Sequence, residues 1–253
     1  MQLSVLKGEG TYPILFDTTS IPIRALTHTA YVARPDRAGD WPTAMVVGGS
    51  KGLSSPIRDL CRRLARHGFA TVAPDLYSGR KVPEDPAEAS LAFHELPSGE
   101  VGRILTDIGR HLADGRGPWA TEEKGFAVIA AQSGALPGLR TAVEFGSPMV
   151  MMAPALREPS PGLDADFNLL PPPPGVPDEL AGMVEPLLGL IGRNDDVSPP
   201  GDVAAARKMA PHSQWVIYEG LGHDFLDDNE PGFDQAAFTD AFGRIVEFLT
   251  KNL

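Results

Sequence analysis

Three side chains, each a few residues after a short apolar run, have the types needed to cleave an acyl bond. They are Ser133, Asp195 and His223, in that order along the chain. A serine hydroxyl is a weak nucleophile until a neutral imidazole removes its proton during attack. A carboxylate bonded to that imidazole fixes its tautomer and stabilises the imidazolium that forms. These three residue types therefore predict nucleophilic catalysis at a carbonyl carbon.

Apolar runs alternate with amphipathic stretches along most of the chain, and this alternation predicts the elements that position the three side chains. The predicted strands are 21–34, 43–49, 69–73, 125–131, 148–152, 187–191 and 214–218. Helices are predicted at 56–68, 101–112, directly after Ser133, and at 201–210 and 234–250. Residues 79–98 are expected to form a loop with a short helix. Repeated strand–helix units predict a mostly parallel sheet with helices on both faces, and its reactive groups gather at the carboxyl ends of the strands.

Two serines compete for the role of nucleophile. Ser50 lies in Gly-Gly-Ser-Lys-Gly, the more literal match to the G-x-S-x-G turn, and Ser133 lies in Ala-Gln-Ser-Gly-Ala. The turn needs small neighbours because it projects the hydroxyl from the sheet at a helix N-terminus. A helix follows Ser133 at once, whereas a loop separates Ser50 from the next helix, so the context favours Ser133. The alternative is that Ser133 only caps the helix.

Composition limits the classes of partner. The 253 residues carry 22 Lys+Arg against 33 Asp+Glu, and the net charge of −11 disfavours nucleic acid or an anionic membrane as the partner. The single cysteine, Cys61, excludes an intrachain disulfide and a cysteine-rich zinc site. We expect no cofactor and no metal, because nucleotide-loop motifs and histidine pairs at metal spacing are missing. With neither a signal-peptide pattern nor a 20-residue apolar run, the expected compartment is the cytoplasm.

The chain resembles the dienelactone hydrolase family of α/β-hydrolases in several motifs that occur in the family's order. These motifs are Val46-Val47-Gly48-Gly49-Ser50-Lys51-Gly52-Leu53, Ala73-Pro74-Asp75-Leu76-Tyr77, Ala131-Gln132-Ser133-Gly134-Ala135, the segment 192–199 and Tyr218-Glu219-Gly220-Leu221-Gly222-His223-Asp224-Phe225. The resemblance covers roughly residues 20–250 and implies one α/β-hydrolase domain over 1–253. The proline-rich segment 154–184 is expected to cross one end of the sheet and to shape the substrate pocket.

The resemblance also implies a role for each site residue. Ser133 would be the nucleophile, His223 the general base and acid, and Asp195 the orienting acid. Asp195 is preferred to its neighbour Asp196 because Pro199 lies at the family's offset from it. The backbone N–H groups of Ser50 and Gly134 would form the oxyanion hole.

The chain departs from the dienelactone-cleaving members in three respects. They have a cysteine in place of Ser133 and a glutamate in place of Gly49, and their carboxylate-binding arginines have no clear counterpart beyond Arg80 or Arg103. We therefore expect a serine hydrolase that cleaves a carboxylic ester or lactone through an acyl-enzyme, with a substrate other than dienelactone. The alternatives are acyl transfer, elimination or cyclisation on a specialised metabolite by the same triad, or a non-catalytic binding module of the same fold.

Overall fold

The computed structural model describes residues 10–116, 125–157 and 175–253. An eight-stranded sheet with the order β1-β2-β4-β3-β5-β6-β7-β8 forms its centre. The strands are β1 Ile14–Ile23, β2 Leu26–Pro35, β3 Thr43–Val47, β4 Ala70–Pro74, β5 Phe126–Ala131, β6 Met149–Met152, β7 Leu187–Gly192 and β8 Gln214–Tyr218. From β4 to β8 across the sheet every pairing is parallel, whereas β1 pairs antiparallel with β2, and β2 with β4.

Helices cover both faces of this sheet, as the sequence predicts. They are α1 Ser55–Arg66, α2 Pro86–His94, α3 Ser98–Ala113, α4 Ala135–Phe145, α5 Pro200–Met209 and α6 Gln235–Asn252. Apolar residues of α3, α4 and α5 form one core layer with one side of the strands. Those of α1 and α6 form the second layer with the other side. The mostly parallel sheet between two helical layers places the carboxyl ends of β3, β5, β7 and β8 at one edge.

Local sequence explains where the elements begin and end. β3, β4 and β6 are buried along their whole length, which accounts for their continuous apolar composition. Pro56 lies in the first turn of α1, where its missing N–H costs no hydrogen bond. Asp85 and Asp234 cap α2 and α6, since each carboxylate accepts hydrogen bonds from amides in the first helical turn.

The sequence prediction at the N-terminal edge needs correction. Residues 21–34 are not continuous strand, because the chain reverses at Arg24, which has a φ of 56°. β1 also extends back to Ile14, and this part was missed because an exposed edge strand lacks the apolar signal of a covered one. Residues 158–174 of the proline-rich segment lie outside the described residues, and its later part contains a short 3₁₀ helix at Asp178–Gly182. None of the described helices is long and apolar enough to span a membrane.

The fold predicts that the single thiol is inert. Cys61 is fully buried on α1, and burial raises the pKa of its thiol to about 12. Since the thiolate is the reactive form, iodoacetamide at pH 8 should leave the folded protein unmodified and should alkylate Cys61 fully in denaturant. Intact-mass spectrometry measures both results. A Ser20→Cys variant, which places a thiol on exposed β1, serves as the positive control, and equal labelling of the native wild type would contradict the burial.

Candidate active site

Asp195 lies in the loop after β7, and its carboxylate bonds both to its own loop and to His223. Its Oδ1 accepts hydrogen bonds from the amides of Val197 and Ser198, both at 2.9 Å. Its Oδ2 lies 2.9 Å from Nδ1 of His223. The side chain of Asp195 has no exposed surface, whereas Asp196 is exposed to solvent. Both carboxylate oxygens of Asp195 are therefore satisfied, and of the two adjacent acids it is Asp195 that contacts the histidine.

His223 lies in the loop after β8 and keeps one basic nitrogen available for chemistry. A carboxylate can only accept, so its contact with Asp195 assigns the ring proton to Nδ1. Nε2 then carries the lone pair that can take a proton from a nucleophile. About 15% of the side chain is exposed, and the residue lines a small cavity at the strand ends.

Close packing of the two loops brings Asp195 and His223 together. Gly192, the last residue of β7, lies directly against the loop that carries His223. A Cβ on Gly192 would lie 2.3 Å from the carbonyl oxygen of Leu221 and 2.4 Å from that of Gly222. The amide of Asn194 also donates to the Leu221 carbonyl at 2.8 Å. Only glycine fits this position, and the acid–histidine distance depends on that fit.

Ser50 and Ser133 meet at the ends of β3 and β5. The Ser50 amide donates a hydrogen bond to Oγ of Ser133 at 2.8 Å. The buried Tyr77 hydroxyl donates to the Ser50 carbonyl at 2.6 Å and so holds this peptide in place. Within the described part of the chain, Ser133 makes no hydrogen bond to His223. The structure therefore joins Ser133 to the predicted oxyanion donor, and it joins His223 to Asp195.

The turn between β5 and α4 differs from the sequence prediction by one residue. The prediction placed the sharp turn on Ser133, but the positive φ of 49° belongs to Gln132. The reason is the contact of Gly134 with β3, where a Cβ would lie 2.5 Å from the Gly48 carbonyl oxygen. This contact centres the turn on Gln132, two residues before Gly134. The roles predicted for the Ser133 hydroxyl and the Gly134 amide stay predictions.

Two cavities adjoin these residues. The smaller has a volume of about 50 Å³ and a mainly apolar wall from α1 and α6, and Lys51, Gln132, His223 and Asp227 are among its lining residues. The larger, about 240 Å³, lies beyond Ser133 and is mostly apolar. Its walls come from α2, α3, α4 and the loop after β6, with Phe93, Leu96, Val101, Leu136 and Ala155 among the lining residues.

Charged side chains surround the smaller cavity. The Lys51 ammonium binds Asp227 Oδ2 at 2.7 Å and also contacts Glu230. Burial lowers the pKa of Lys51, but its hydrogen bonds to these two acids outweigh that effect, and the net shift is upward. Burial raises the pKa of Asp224, whose Oδ1 accepts a hydrogen bond of 3.3 Å from Nε2 of Gln132. Within the described residues, no group of three or more histidine, cysteine or acidic side chains is arranged to hold a metal ion.

The arginines near the larger cavity are not those suggested by the sequence. Arg80 and Arg103 do not line either of the two cavities, whereas Arg140 and Arg157 line the larger one. Arg157 makes a two-pronged ion pair with Asp202, at 2.7 and 3.1 Å, and Arg140 binds Glu179 at 2.7 Å. No sequence signal identified these residues, because both guanidinium groups reach the cavity only through tertiary packing.

Comparison with known proteins assigns the family. The profile of the dienelactone hydrolase family matches residues 28–129. A Salmonella typhimurium protein classed as a carboxymethylenebutenolidase is 30% identical over 244 residues, which cover 92% of this chain and 86% of that protein. The chain belongs to the dienelactone hydrolase family. An Escherichia coli K12 relative of the same class is also 30% identical, with the same coverage.

Solved structures confirm the α/β-hydrolase fold. A Klebsiella pneumoniae protein classed as a dienelactone hydrolase superposes with a TM-score of 0.79 at 23% identity, covering 94% of this chain and 99% of its own. Est1E from Butyrivibrio proteoclasticus gives a TM-score of 0.65 at 15% identity, covering 93% and 98%. The family and fold predicted from the sequence are thus confirmed, while the individual site residues stand on the geometry described above.

The packing at the end of β7 predicts a strong effect of Gly192→Ala. The added methyl group must displace the loop that carries His223, so we expect a loss of roughly 1–3 kcal/mol in the free energy of unfolding, typical of overpacking. Urea denaturation followed by circular dichroism measures the change. Gly201→Ala is the matched control, because a Cβ there meets nothing within 4 Å. Equal stability of the two variants would contradict the proposed packing constraint.

Proposed function

We propose that this member of the dienelactone hydrolase family hydrolyses a carboxylic ester or lactone by acid–base catalysis at His223. The observation that carries the proposal is the buried hydrogen bond from His223 to Asp195 at the strand ends, next to the two cavities. The family assignment supports the same reaction class, since the curated relatives are classed as carboxymethylenebutenolidases.

The pair has the features that proton transfer requires. Asp195 is buried and holds the Nδ1 proton of His223, so that Nε2 can accept a proton from the attacking group. The positive charge that develops on the imidazole is then stabilised by the adjacent carboxylate. In the second half of the reaction His223 returns the proton to the leaving oxygen. Proton transfer of this kind typically contributes about 10²–10⁴-fold to the rate.

The larger cavity favours a small, mainly apolar acyl or alcohol group. Its volume of about 240 Å³ lies somewhat below the usual range for sites that bind drug-sized molecules. Both arginines in its wall are already paired with acids, as described above, so a substrate carboxylate would have to compete with Asp202 or Glu179 for them. A neutral ester or lactone therefore fits this cavity better than an anionic one.

A second candidate route forms an acyl-enzyme on Ser133, as the sequence predicts. The observation in its favour is that Oγ of Ser133 lies within 2.8 Å of the Ser50 amide, at the edge of the larger cavity. The hydroxyl would first have to leave that amide and turn towards His223.

Replacing either member of the pair tests the proposed reaction. We expect His223→Ala to lower kcat/KM for small aryl esters by about 10²–10⁴-fold, the usual size of a general-base contribution. Asp195→Asn should lower it by up to about 10⁴-fold, because the neutral amide favours the wrong tautomer. Initial rates of phenol release, with each variant checked by circular dichroism, give both values.

His212 provides a matched control for the histidine substitution. Its ring contacts the Glu185 carbonyl at the far end of β8, away from both cavities. His212→Ala should keep the wild-type kcat/KM. A wild type that cleaves no ester or lactone in a broad panel, or a folded His223→Ala variant with full activity, would refute the proposed function.

A further inference from the structure

The turn between β5 and α4 has Gln132 at its strained position. Gln132 follows β5 directly and has a φ of +49°. This backbone conformation costs energy for residues other than glycine. Its carbonyl accepts a hydrogen bond of 3.0 Å from the amide of Ala155, which fixes the turn from the neighbouring loop. In α/β-hydrolases the reacting side chain occupies this strained residue between strand and helix, and the next amide forms part of the oxyanion hole.

The small residues around the turn are also centred on Gln132. Gly134, two residues later, lies against β3, where a Cβ would approach the Gly48 carbonyl oxygen to 2.5 Å. Ala130, two residues earlier, lies so close to α4 that a Cβ on Gly138 would come within 2.7 Å of its methyl group. The pattern small-x-Gln-x-small over residues 130–134 therefore meets the steric requirement of the turn.

Ser133 and His223 line different cavities. Oγ of Ser133 accepts a hydrogen bond from the Ser50 amide. It also packs against Gly49, where an added Cβ would lie only 2.8 Å from it. The smaller cavity, which His223 lines, is shared with Gln132 but not with Ser133. Ser133 lines the larger cavity. Of the two neighbouring residues, Gln132 is thus the one that lines a cavity together with His223.

We propose that Gln132 occupies the nucleophile position of this fold and that its carboxamide positions a water molecule for activation by His223, so that the ester is hydrolysed without an acyl-enzyme. This proposal rests on the proposed function and specifies its nucleophile. Gln132 is a positioning residue in it, since it acts through the water.

The smaller cavity has the size that a water molecule requires. Its volume of about 50 Å³ exceeds the roughly 10–15 Å³ of such volume that one water molecule needs. Its wall is mainly apolar, and Gln132 and His223 are among the polar residues that line it. The larger cavity beyond Ser133 is available for the substrate.

Asp224 orients the carboxamide of Gln132 for this task. Its carboxylate can only accept a hydrogen bond, so it assigns the amide NH₂ of Gln132 to the contact at 3.3 Å. The carbonyl oxygen of the amide is then left to accept one hydrogen of the water, and Nε2 of His223 accepts the other. Both hydrogens are engaged in this way, and an oxygen lone pair remains for attack on the carbonyl carbon.

The reaction step balances with these groups alone. The water oxygen bonds to the carbonyl carbon while Nε2 of His223 takes one of its protons. The amides of Ser50 and Ser133 receive the developing oxyanion, once the Ser133 hydroxyl has rotated away from the Ser50 amide. The tetrahedral intermediate then expels the alcohol oxygen, which takes the proton from His223, and the products are the acid and the alcohol.

Covalent labelling tests the position of Gln132 independently of ester turnover. A fluorophosphonate should leave Ser133 of the wild type unmodified. It should label Gln132→Ser at residue 132, and adding His223→Ala should abolish that labelling. Peptide mass spectrometry identifies the modified residue. If Gln132→Ser does not fold, Gln132→Cys and iodoacetamide, with the same His223→Ala control, serve instead. Rapid labelling of wild-type Ser133, or no labelling of either folded variant, would overturn the proposal.

Kinetics test the role of the water. With aryl esters, the wild type should release phenol without a pre-steady-state burst, and no acyl adduct should appear in the intact mass. Gln132→Met keeps the side-chain size but loses both polar groups, so kcat should fall by about 10²-fold with KM little changed. Ser133→Ala should keep at least about a tenth of the wild-type kcat/KM, far more than loss of a covalent nucleophile would leave.

Gln235→Met, at the exposed start of α6, is the matched control and should match the wild type. A burst with an acyl adduct on Ser133, or a Gln132→Met variant with unchanged kcat, would overturn the water mechanism. A wild type that cleaves no ester would refute the proposed function and the water role together. Labelling of Gln132→Ser in that case would still place residue 132 at the nucleophile position.

Discussion

The site depends on one buried carboxylate, that of Asp195. Its desolvation would be costly without partners, and here two backbone amides and the ring of His223 supply three hydrogen bonds. The same loop is fixed to the segment after β6, because Oγ of Ser198 donates to the Pro154 carbonyl and accepts from the amide of Leu156. The hydrogen bonds of Asp195 and Ser198 thus link three loops at the carboxyl ends of the strands.

Much of the fold could be predicted because most strands are covered on both faces. Continuous apolar runs such as β3 and β7 stand out from the amphipathic helices between them, and Pro56 marks the start of α1. The hairpin of β1 and β2 could not be placed in the same way. β1 is an exposed edge strand whose position is set by pairing with β2, and single-residue hydrophobicity carries no information about that partner.

The parts of the site that lie at strand ends could be predicted from the sequence. The parts whose position is set by packing between neighbouring strands could not. Asp195 and His223 lie in the loops that follow the neighbouring parallel strands β7 and β8, so their meeting follows from the topology. The register of the β5–α4 turn is different, because small residues at 130, 131, 134 and 135 permit a turn centred on either Gln132 or Ser133. The contact of Gly134 with the end of β3 decides between them, and it exists only in the folded chain.

The ion pairs of Lys51 hold the histidine loop by charge, whereas the sheet is held by its apolar layers. Lys51 follows β3, while Asp227 and Glu230 lie in the irregular segment between His223 and α6, so this link ties the histidine loop to the rest of the molecule. Salt that screens these ion pairs weakens the link while leaving the apolar layers intact. Inactivation under such conditions would then occur in two stages, with the histidine loop released first and the sheet melting later.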